Sequence, residues 1–221
     1  MIIKDFDITE LNLKYFVGIS QIKMNLDKFM NFYNIMGKNE ALNQFLNIMD
    51  EVQNEYENTV VQFIMDKYIL NQDHIFIACY HFLKAFQLNF NISNKKNIEF
   101  LLYMATNRQI NKSIEAFGVN FSQLNHNNLI LCIVSPINNL KIISEKLLST
   151  LNAEKMELSI NKQSHSKFNM IKEFFEINNN QINSVLRSYG IDIKKSVTNL
   201  PNLFSALFDL ICEKMSILFL Q

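Results

Sequence analysis

The chain contains very little glycine and proline. Its 221 residues include four glycines and two prolines. Because the four glycines are far apart, neither a GxGxxG loop nor a P-loop can be assembled, which argues against nucleotide binding through a glycine-rich phosphate loop. No flexible linker rich in proline, glycine and serine divides the chain. The sequence therefore predicts one domain over residues 1–221, with residues 36–58 and 191–202 as its divergent or inserted parts.

Residues that build catalytic and metal sites are few and scattered. The four histidines form no HExxH motif, and the three cysteines form no CxxC pair. His74 and His81 lie seven residues apart and could share a helix face, but no carboxylate completes an acid–base set, so structural roles are favoured. No serine or cysteine lies in a recognisable nucleophile motif. We therefore predict a protein that is not an enzyme and needs neither a metal nor a cofactor.

Cysteine usage and the lengths of apolar runs indicate a compartment. Cys79, Cys132 and Cys212 are widely separated and lie in apolar stretches, which is typical of reduced, buried thiols in a cytoplasmic protein. The first residues lack a basic start followed by an apolar stretch. No run approaches the ~20 apolar residues that span a bilayer. We expect a cytoplasmic location and no membrane contact.

The charges balance. The chain has 21 basic and 21 acidic side chains, and 48% of its residues are hydrophobic, as in a folded protein. A net charge of zero argues against broad, non-specific binding along a nucleic-acid duplex, which needs many phosphate contacts. A small footprint with a few basic and aromatic groups remains open.

Strand-like and helix-like segments alternate along the chain. Strands are predicted at residues 1–3, 15–23, 59–65, 129–134 and 156–160, with residues 59–65 as a central strand buried on both faces. Helices are predicted after Asn25, over residues 39–57, from Asp73, after Ser135 as N-cap, around residues 168–175 and 182–189, and over residues 203–220. Asn127 and Asn128 are predicted to turn the chain. The fold class is α/β: a single domain with a mixed β-sheet flanked by several helices and a helical C-terminal part.

The most specific stretch is residues 91–119. Apolar residues at helical spacing predict two helices here, the first with Ile98, Leu101, Leu102 and Ala105 inside and the second with Ile110, Ile114 and Phe117 inside. Thr106 and Gln109 form a capping-box pattern that predicts the start of the second helix. That start would place Arg108 beside unpaired backbone N–H groups at the positive end of the helix, a geometry suited to an anion such as phosphate.

A family resemblance appears in the same stretch. Residues 99–105 (EFLLYMA), the following Arg108-Gln109-Ile110 and Gly118 resemble the helix pair of the PRPK-binding protein (TPRKB) family. Residues 60–66 (VVQFIMD) and 73–78 (DHIFIA) are similar to its central strand and following helix, and residues 167–177 (KFNMIKEFFEI) and 207–220 to its two late helices. The resemblance implies the kinase-binding subunit of the KEOPS complex, which makes threonylcarbamoyl-adenosine in tRNA.

The resemblance implies an RNA site near Arg108, because archaeal and yeast relatives bind the single-stranded CCA end of tRNA. Single-stranded recognition uses stacking faces and a few cations. The predicted RNA-binding residues are Arg108, Gln109, Lys112, Lys95, Lys96 and Tyr103. Phe100 could also supply a ring, although a core position suits it better. The alternative for Arg108 is a capping arginine that pairs with Glu99 or another carboxylate.

The last helix is apolar nearly all round, which is typical of a helix buried in its own core or under a partner. The resemblance favours a partner contact, since the family docks its late helices onto the small lobe of the KEOPS kinase/ATPase subunit. The predicted contact residues are Ile211, Met215, Ile217 and Leu218. A central core helix is the alternative.

The preferred interpretation is a non-catalytic accessory subunit that binds the KEOPS kinase/ATPase subunit and the CCA end of tRNA. A protein-binding regulator of the kinase without RNA contact is the first alternative, and the neutral charge allows it. A small-molecule enzyme on an α/β domain is the second alternative, and no catalytic set in the sequence supports it.

Overall fold

A five-stranded sheet organises the molecule. The computed structural model describes residues 1–124, 129–191 and 199–220. The strands are β1 Ile2–Ile8, β2 Leu13–Met24, β3 Val60–Met65, β4 Leu129–Ser135 and β5 Ala153–Met156. One edge of β2 pairs with β4, which in turn pairs with β3. The other edge of β2 is shared end to end by β1 and β5.

Helices connect and cover the strands. They are α1 Leu26–Phe32, α2 Lys38–Glu55, α3 Gln72–Gln87, α4 Lys96–Ala105, α5 Ile110–Phe117, α6 Phe121–Leu124, α7 Leu140–Thr150, α8 His165–Phe174, α9 Asn179–Ser188 and α10 Leu200–Ser216. Five of them begin at a side chain that accepts a backbone N–H bond from the first turn, namely Asn25, Asn71, Ser164, Asn178 and Asn199. A short 3₁₀ helix, Leu218–Leu220, follows α10. In the described ranges no helix is long and apolar enough to cross a membrane.

The sheet is covered on both faces at β3 and β4, because every residue of these two strands is buried. In β4, the even-numbered Ile130, Cys132 and Val134 pack with the larger core, and Leu129, Leu131 and Ile133 pack with the smaller one. The larger core contains α3, α4, α8, α9 and α10. The smaller core contains α1, α2 and α7. The molecule is therefore a helix–sheet–helix sandwich.

The predicted α/β class is confirmed, but the sheet differs in two respects. Every strand pairing in the described residues is antiparallel, so the sheet is not mixed. β3, predicted to be central, pairs on one side with β4 and forms an edge. Its burial on both faces is as predicted, and glutamines cover its open edge: Gln53 Oε1 accepts from Val61 N at 2.9 Å, and Gln62 Nε2 donates to Phe63 O at 2.7 Å.

Some element boundaries also differ from prediction. Ser135 is the last residue of β4 rather than an N-cap, because it still pairs with Phe16, and Asn139 precedes α7 instead. β5 lies over residues 153–156, upstream of the predicted 156–160. In α2, Leu46 is 36% exposed although it is apolar, because the helix presents a face centred on Phe45 to the sheet. The predicted turn at Asn127 and Asn128 and most of the 191–202 segment lie outside the described residues.

Candidate RNA- and partner-binding surfaces

The turn between α4 and α5 does not use the predicted capping box. Thr106 ends α4 in the left-handed region with φ 47°, and Gln109 is the N-cap of α5 without a side-chain cap bond. Instead Asn107 Oδ1 accepts from Gln109 N at 2.8 Å, and Ser113 Oγ donates to the carbonyl oxygens of Asn107 and Gln109. Hydrogen bonds within the turn therefore stabilise it, and the first backbone N–H groups of α5 face solvent.

Arg108 is exposed in this turn, one residue before the N-cap. Its Nη1 donates to the carbonyl oxygen of Phe219 at 3.4 Å. It forms no ion pair with Glu99, because that buried carboxylate accepts from the backbone N–H groups of Ile92 and Ser93, the latter at 2.7 Å. Burial raises the pKa of Glu99, while those hydrogen bonds and the more distant charge of Arg108 oppose the rise. Arg108 thus contacts a backbone carbonyl, and not the carboxylate of the alternative interpretation.

The predicted polar RNA-binding residues fall into two groups. Arg108, Gln109 and Lys112 lie together at the start of α5, where all three are exposed. Lys95 and Lys96 lie at the opposite end of α4, ~15 Å away along a ten-residue helix. Burial lowers the pKa of Lys96, whose Nζ lies 5.9 Å from the centroid of the Phe86 ring. A single-nucleotide contact can therefore use one group or the other.

Two predicted aromatic contacts are core residues. Tyr103 is 1% exposed and stacks on His81, with ring centroids 5.6 Å apart and planes 13° apart. Burial raises the pKa of its hydroxyl. Phe100 is equally buried and packs edge-on against Phe82. Tyr103 therefore offers no stacking face to RNA, and its assignment there was wrong, because the sequence showed an aromatic residue but not how many neighbours enclose it.

The apolar face of α5 was also predicted incorrectly. Ile110 and Ile114 are each 41% exposed, and Phe117 is the residue of this stripe that is fully buried. Ser113 occupies the inner face because its hydroxyl closes the turn described above. Two isoleucines are thus left on the surface beside Arg108 along the chain.

A cavity of about 710 Å³ opens beside this turn. Its walls come from the end of β3, the α4–α5 turn, α5 and the end of α8. The lining includes two aromatic rings, two amides, two lysines and three carboxylates: Tyr68, Phe174, Asn107, Gln123, Lys67, Lys112, Asp66, Glu115 and Glu176. Among these, Lys112 was predicted from the sequence. The other lining residues were not predicted, and the polar turn Asp66-Lys67-Tyr68 directly after a buried strand is the local signal that could have indicated one wall.

The late-helix residues separate into core and surface. Ile211, Met215 and Leu218 are fully buried, which is the core alternative, so their assignment as partner contacts was wrong. Ile217 is 40% exposed. Phe219 and Leu220, which follow it in the chain, are also exposed. The ring of Phe219 packs on the ring of Phe90, with centroids 4.5 Å apart. We call Ile217, Phe219 and Leu220 the C-terminal apolar patch.

His74 has a structural environment. It is completely buried; its Nδ1 accepts from Leu70 N at 3.2 Å, and its Nε2 donates to Met104 O at 3.1 Å. Burial lowers its pKa to about 4, so the ring is neutral at physiological pH. Within the described ranges no three His, Cys, Asp or Glu side chains are grouped as metal ligands. Cys79 and Cys132 are buried thiols whose sulfur atoms lie 3.7 Å apart.

An arginine-bearing turn, a polar cavity and an exposed apolar patch on a helix–sheet–helix sandwich are features of an α/β binding protein. The family model for kinase binding protein CGI-121 matches residues 20–217 of the 221 residues, and the chain belongs to this family. The match confirms the resemblance seen in the sequence. It also includes the 36–58 segment, which forms α2. No curated protein matches the chain.

Proposed function

We propose that this chain is a non-catalytic accessory subunit of the KEOPS complex, acting in the cytoplasm as a single domain. It binds the kinase/ATPase subunit and the 3′ CCA end of tRNA, and it supports threonylcarbamoyl-adenosine modification by positioning the RNA. Membership of a kinase-binding family supports the first contact. The exposed Arg108–Lys112 turn at a helix N-terminus supports the second, because guanidinium and free N–H groups suit phosphate.

The observation that carries the RNA contact is the weak hold on Arg108. Its Nη1 makes a long 3.4 Å bond to the neutral carbonyl of Phe219. A phosphate oxygen gives a shorter, charge-assisted bond, so exchange of one acceptor for the other is favourable. Gln109 and Lys112 lie on the same turn and add a polar and a cationic contact. Lys95 and Lys96, at the far end of α4, are placed to meet a different part of the same RNA.

A purely protein-binding regulator of the kinase is the second candidate. The zero net charge and the exposed C-terminal apolar patch favour it, since neither needs RNA. In that case Ile217 lies in the kinase interface and Arg108 retains its contact with Phe219.

A gel-shift titration with tRNA separates the two candidates. The purified chain, alone and with the kinase subunit, is titrated against intact tRNA and against tRNA trimmed of its CCA end. We expect binding that requires the CCA end. Capture of the kinase without any shift of tRNA would establish the regulator instead. If the chain neither shifts tRNA nor captures the kinase subunit, the KEOPS assignment is contradicted.

A further inference from the structure

We infer that a second copy of this chain pairs with the outer edge of β1, so that two five-stranded sheets join into one continuous antiparallel sheet. A two-fold axis perpendicular to the sheet relates the two copies and passes between their Ile3 residues. The contact uses β1 and β5 alone, so it does not depend on the function proposed above.

The outer edge of β1 is open. β1 pairs with β2 over all seven of its residues, Ile2–Ile8, and in the described part of the chain no strand pairs with its other edge. Ile2, Ile3, Lys4 and Asp5 are all exposed. A strand edge of this kind presents unpaired backbone N–H and C=O groups, which are a template for another strand.

β1 lacks the devices that protect the opposite edge of the sheet. At β3, the side chains of Gln53 and Gln62 bond to the backbone of the edge strand. β1 contains no proline and its register with β2 has no bulge. Its one lysine, Lys4, places Nζ 5.3 Å from the centroid of the Phe76 ring, which belongs to the larger core on one face of the sheet. The edge of β1 is therefore free to pair.

β5 lengthens this edge. Ile2 lies opposite Ile19 of β2, and Met156 lies opposite Gln21, two positions further along β2. β1 and β5 run in the same direction, because both are antiparallel to β2. Along the edge, Met156 therefore lies two positions before Ile2, and Lys155 lies one position before Met156.

Symmetry restricts the register of the two copies. The two-fold axis keeps each side chain on its own face, so one residue of β1 has to lie opposite its own counterpart. An axis at Lys4 or at Asp5 would set two like charges directly opposite each other, which is destabilising. An axis at Phe6 would set Asp5 opposite Asp7, with the same result. These three registers are therefore excluded.

Packing decides between the remaining axes, at Ile2 and at Ile3. An axis at Ile2 sets the ring of Phe6 opposite the carboxylate of Glu154. An axis at Ile3 sets Phe6 opposite Met156 instead, and a thioether packs well against an aromatic ring. Ile2, Ile3 and Met156 are each 37% exposed, so pairing removes apolar surface from water.

The Ile3 register also pairs opposite charges at both ends of the contact. Lys155 lies opposite Asp7 of the second copy, and the two-fold axis repeats this pair. Both side chains are exposed, and among the described residues neither takes part in an ion pair. Asp7 lies opposite Lys14 of β2 in its own chain, so the second copy's Lys155 flanks it on the other side. Opposite charges in directly facing positions stabilise a strand pair.

Sedimentation velocity of the full chain over a series of concentrations tests the dimer. We expect the mass to rise from 25.9 kDa towards twice that value. Asp7→Lys sets like charges opposite each other at both ends and should raise the dimer Kd about ten-fold. Adding Lys155→Asp to the same chain should restore the wild-type Kd, because each reversed charge then meets its reversed partner. Asp50→Lys, on an exposed acid of α2, is the matched control and should leave the Kd unchanged.

Cysteine cross-linking tests the register. In a Cys212→Ser background, which removes the one thiol that is not fully buried in the described ranges, Ile3→Cys should form a disulfide between copies under mild oxidation. Directly opposite residues of an antiparallel pair have Cα atoms about 4.5–5.5 Å apart, which suits a disulfide. Ile2→Cys and Asp5→Cys are the matched controls and should not cross-link, because each lies opposite a different residue. Circular dichroism checks the fold of every variant.

Three outcomes would overturn the inference. The first is a mass that stays at 25.9 kDa at every concentration. The second is a dimer whose Kd is the same for the wild type and Asp7→Lys, which places the interface elsewhere. The third is cross-linking through Ile2→Cys or Asp5→Cys but not through Ile3→Cys. Failure of the chain to bind tRNA or the kinase subunit would contradict the proposed function and leave this inference standing.

Discussion

A phosphate that binds Arg108 has to displace only a weak acceptor, because Nη1 now donates to a neutral carbonyl oxygen 3.4 Å away. We expect Arg108→Ala to weaken tRNA binding about ten-fold, because a hydrogen bond to a charged group contributes roughly 1.5–3 kcal/mol. A gel-shift titration measures this. Arg187→Ala is the control, because Arg187 is an exposed arginine on α9. Unchanged affinity in a folded Arg108→Ala protein would remove Arg108 from the RNA site.

His74 makes stability depend on pH. Its pKa is lowered to about 4 from an unfolded value near 6.5, so the folded state favours the neutral ring. The resulting stabilisation is fully present above pH 6.5 and is lost as the pH falls towards 4. It amounts to about 3 kcal/mol at most. Urea unfolding at a series of pH values should show this decline.

His74→Gln should flatten the decline only in part, because burial also lowers the pKa of His81 to about 4. His165→Gln, on an exposed histidine, is the control and should leave the curve unchanged. A wild-type stability that is constant between pH 6.5 and 4 would contradict the neutral-histidine assignment.

Individual side chains show where sequence reasoning ends. The sequence predicted that Arg108 and Lys112 are surface cations, because they follow a helical pattern, and both are exposed. Tyr103 and Met215 were placed on the surface although both are fully enclosed. Periodicity identifies one buried face of a helix, but it does not show when neighbouring elements cover the other faces as well.

The open edge of β3 is closed by α2. Gln53 reaches from α2 to the backbone N–H of Val61, a residue that is fully buried. Gln53→Ala leaves this N–H without a partner, and we expect a loss of about 1–3 kcal/mol in the free energy of unfolding. Amide exchange at Val61 should accelerate. Asn47→Ala, on the exposed side of the same helix, is the control.

Equal exchange protection of Val61 in the two variants would show that the glutamine does not cover this edge. The edge is a feature that the sequence did not predict, because β3 is apolar at every position except Gln62 and therefore resembles a central strand. A strand covered on both faces has the same apolar pattern whether or not a second strand pairs with its edge, because side chains point to the faces.

The end of α10 offers one exposed apolar contact from the predicted set. Ile217→Glu places a charge in the C-terminal apolar patch, and we expect it to reduce kinase capture at least ten-fold while the protein stays folded. A pull-down with the kinase subunit measures this. Ile142→Glu, on the exposed face of α7, is the control. Full capture by Ile217→Glu would place the kinase interface elsewhere.

Most helices and strands were predictable from the sequence, whereas the elements that each one packs against or pairs with were not. Strands β2, β3 and β4 and helices α3, α4 and α9 correspond to apolar patterns in the sequence. α6 was missed, since four residues cannot show a helical period. The start of α7 was misplaced, because Ser135-Pro136 has the composition of a helix start although β4 extends through Ser135. Pairing with a distant strand outweighed the local signal.

The neutral charge of the whole molecule limits its dependence on salt. With Arg108 and Lys112, and at most one further cation, at phosphates, the slope of log K against log salt for a single-stranded end should be about −1.4 to −2. Titrations between 50 and 200 mM salt measure it. A slope steeper than about −4 would indicate a broad basic surface, which a chain with 21 basic and 21 acidic side chains lacks.

The fold class and the family were readable from the sequence, whereas the cavity was not. Its walls come from segments that are far apart in sequence, at Tyr68, Lys112 and Phe174. No local pattern joins them; the sheet does, by placing the end of β3 against α5 and α8. The sequence could therefore indicate the rim near Arg108 but not the pocket behind it.

The position of β4 in the sheet has a kinetic consequence. β4 is the central partner of β2, yet more than a hundred residues separate the two strands in the chain. During synthesis at about 5–20 residues per second, the edge of β2 that pairs with β4 therefore stays unpaired for several seconds. β1 can pair with β2 early, because the two are adjacent in the chain, but it occupies the opposite edge. The nascent chain therefore passes through a stage in which a β-hairpin carries an unpaired strand edge, and a chaperone is expected to recognise that stage.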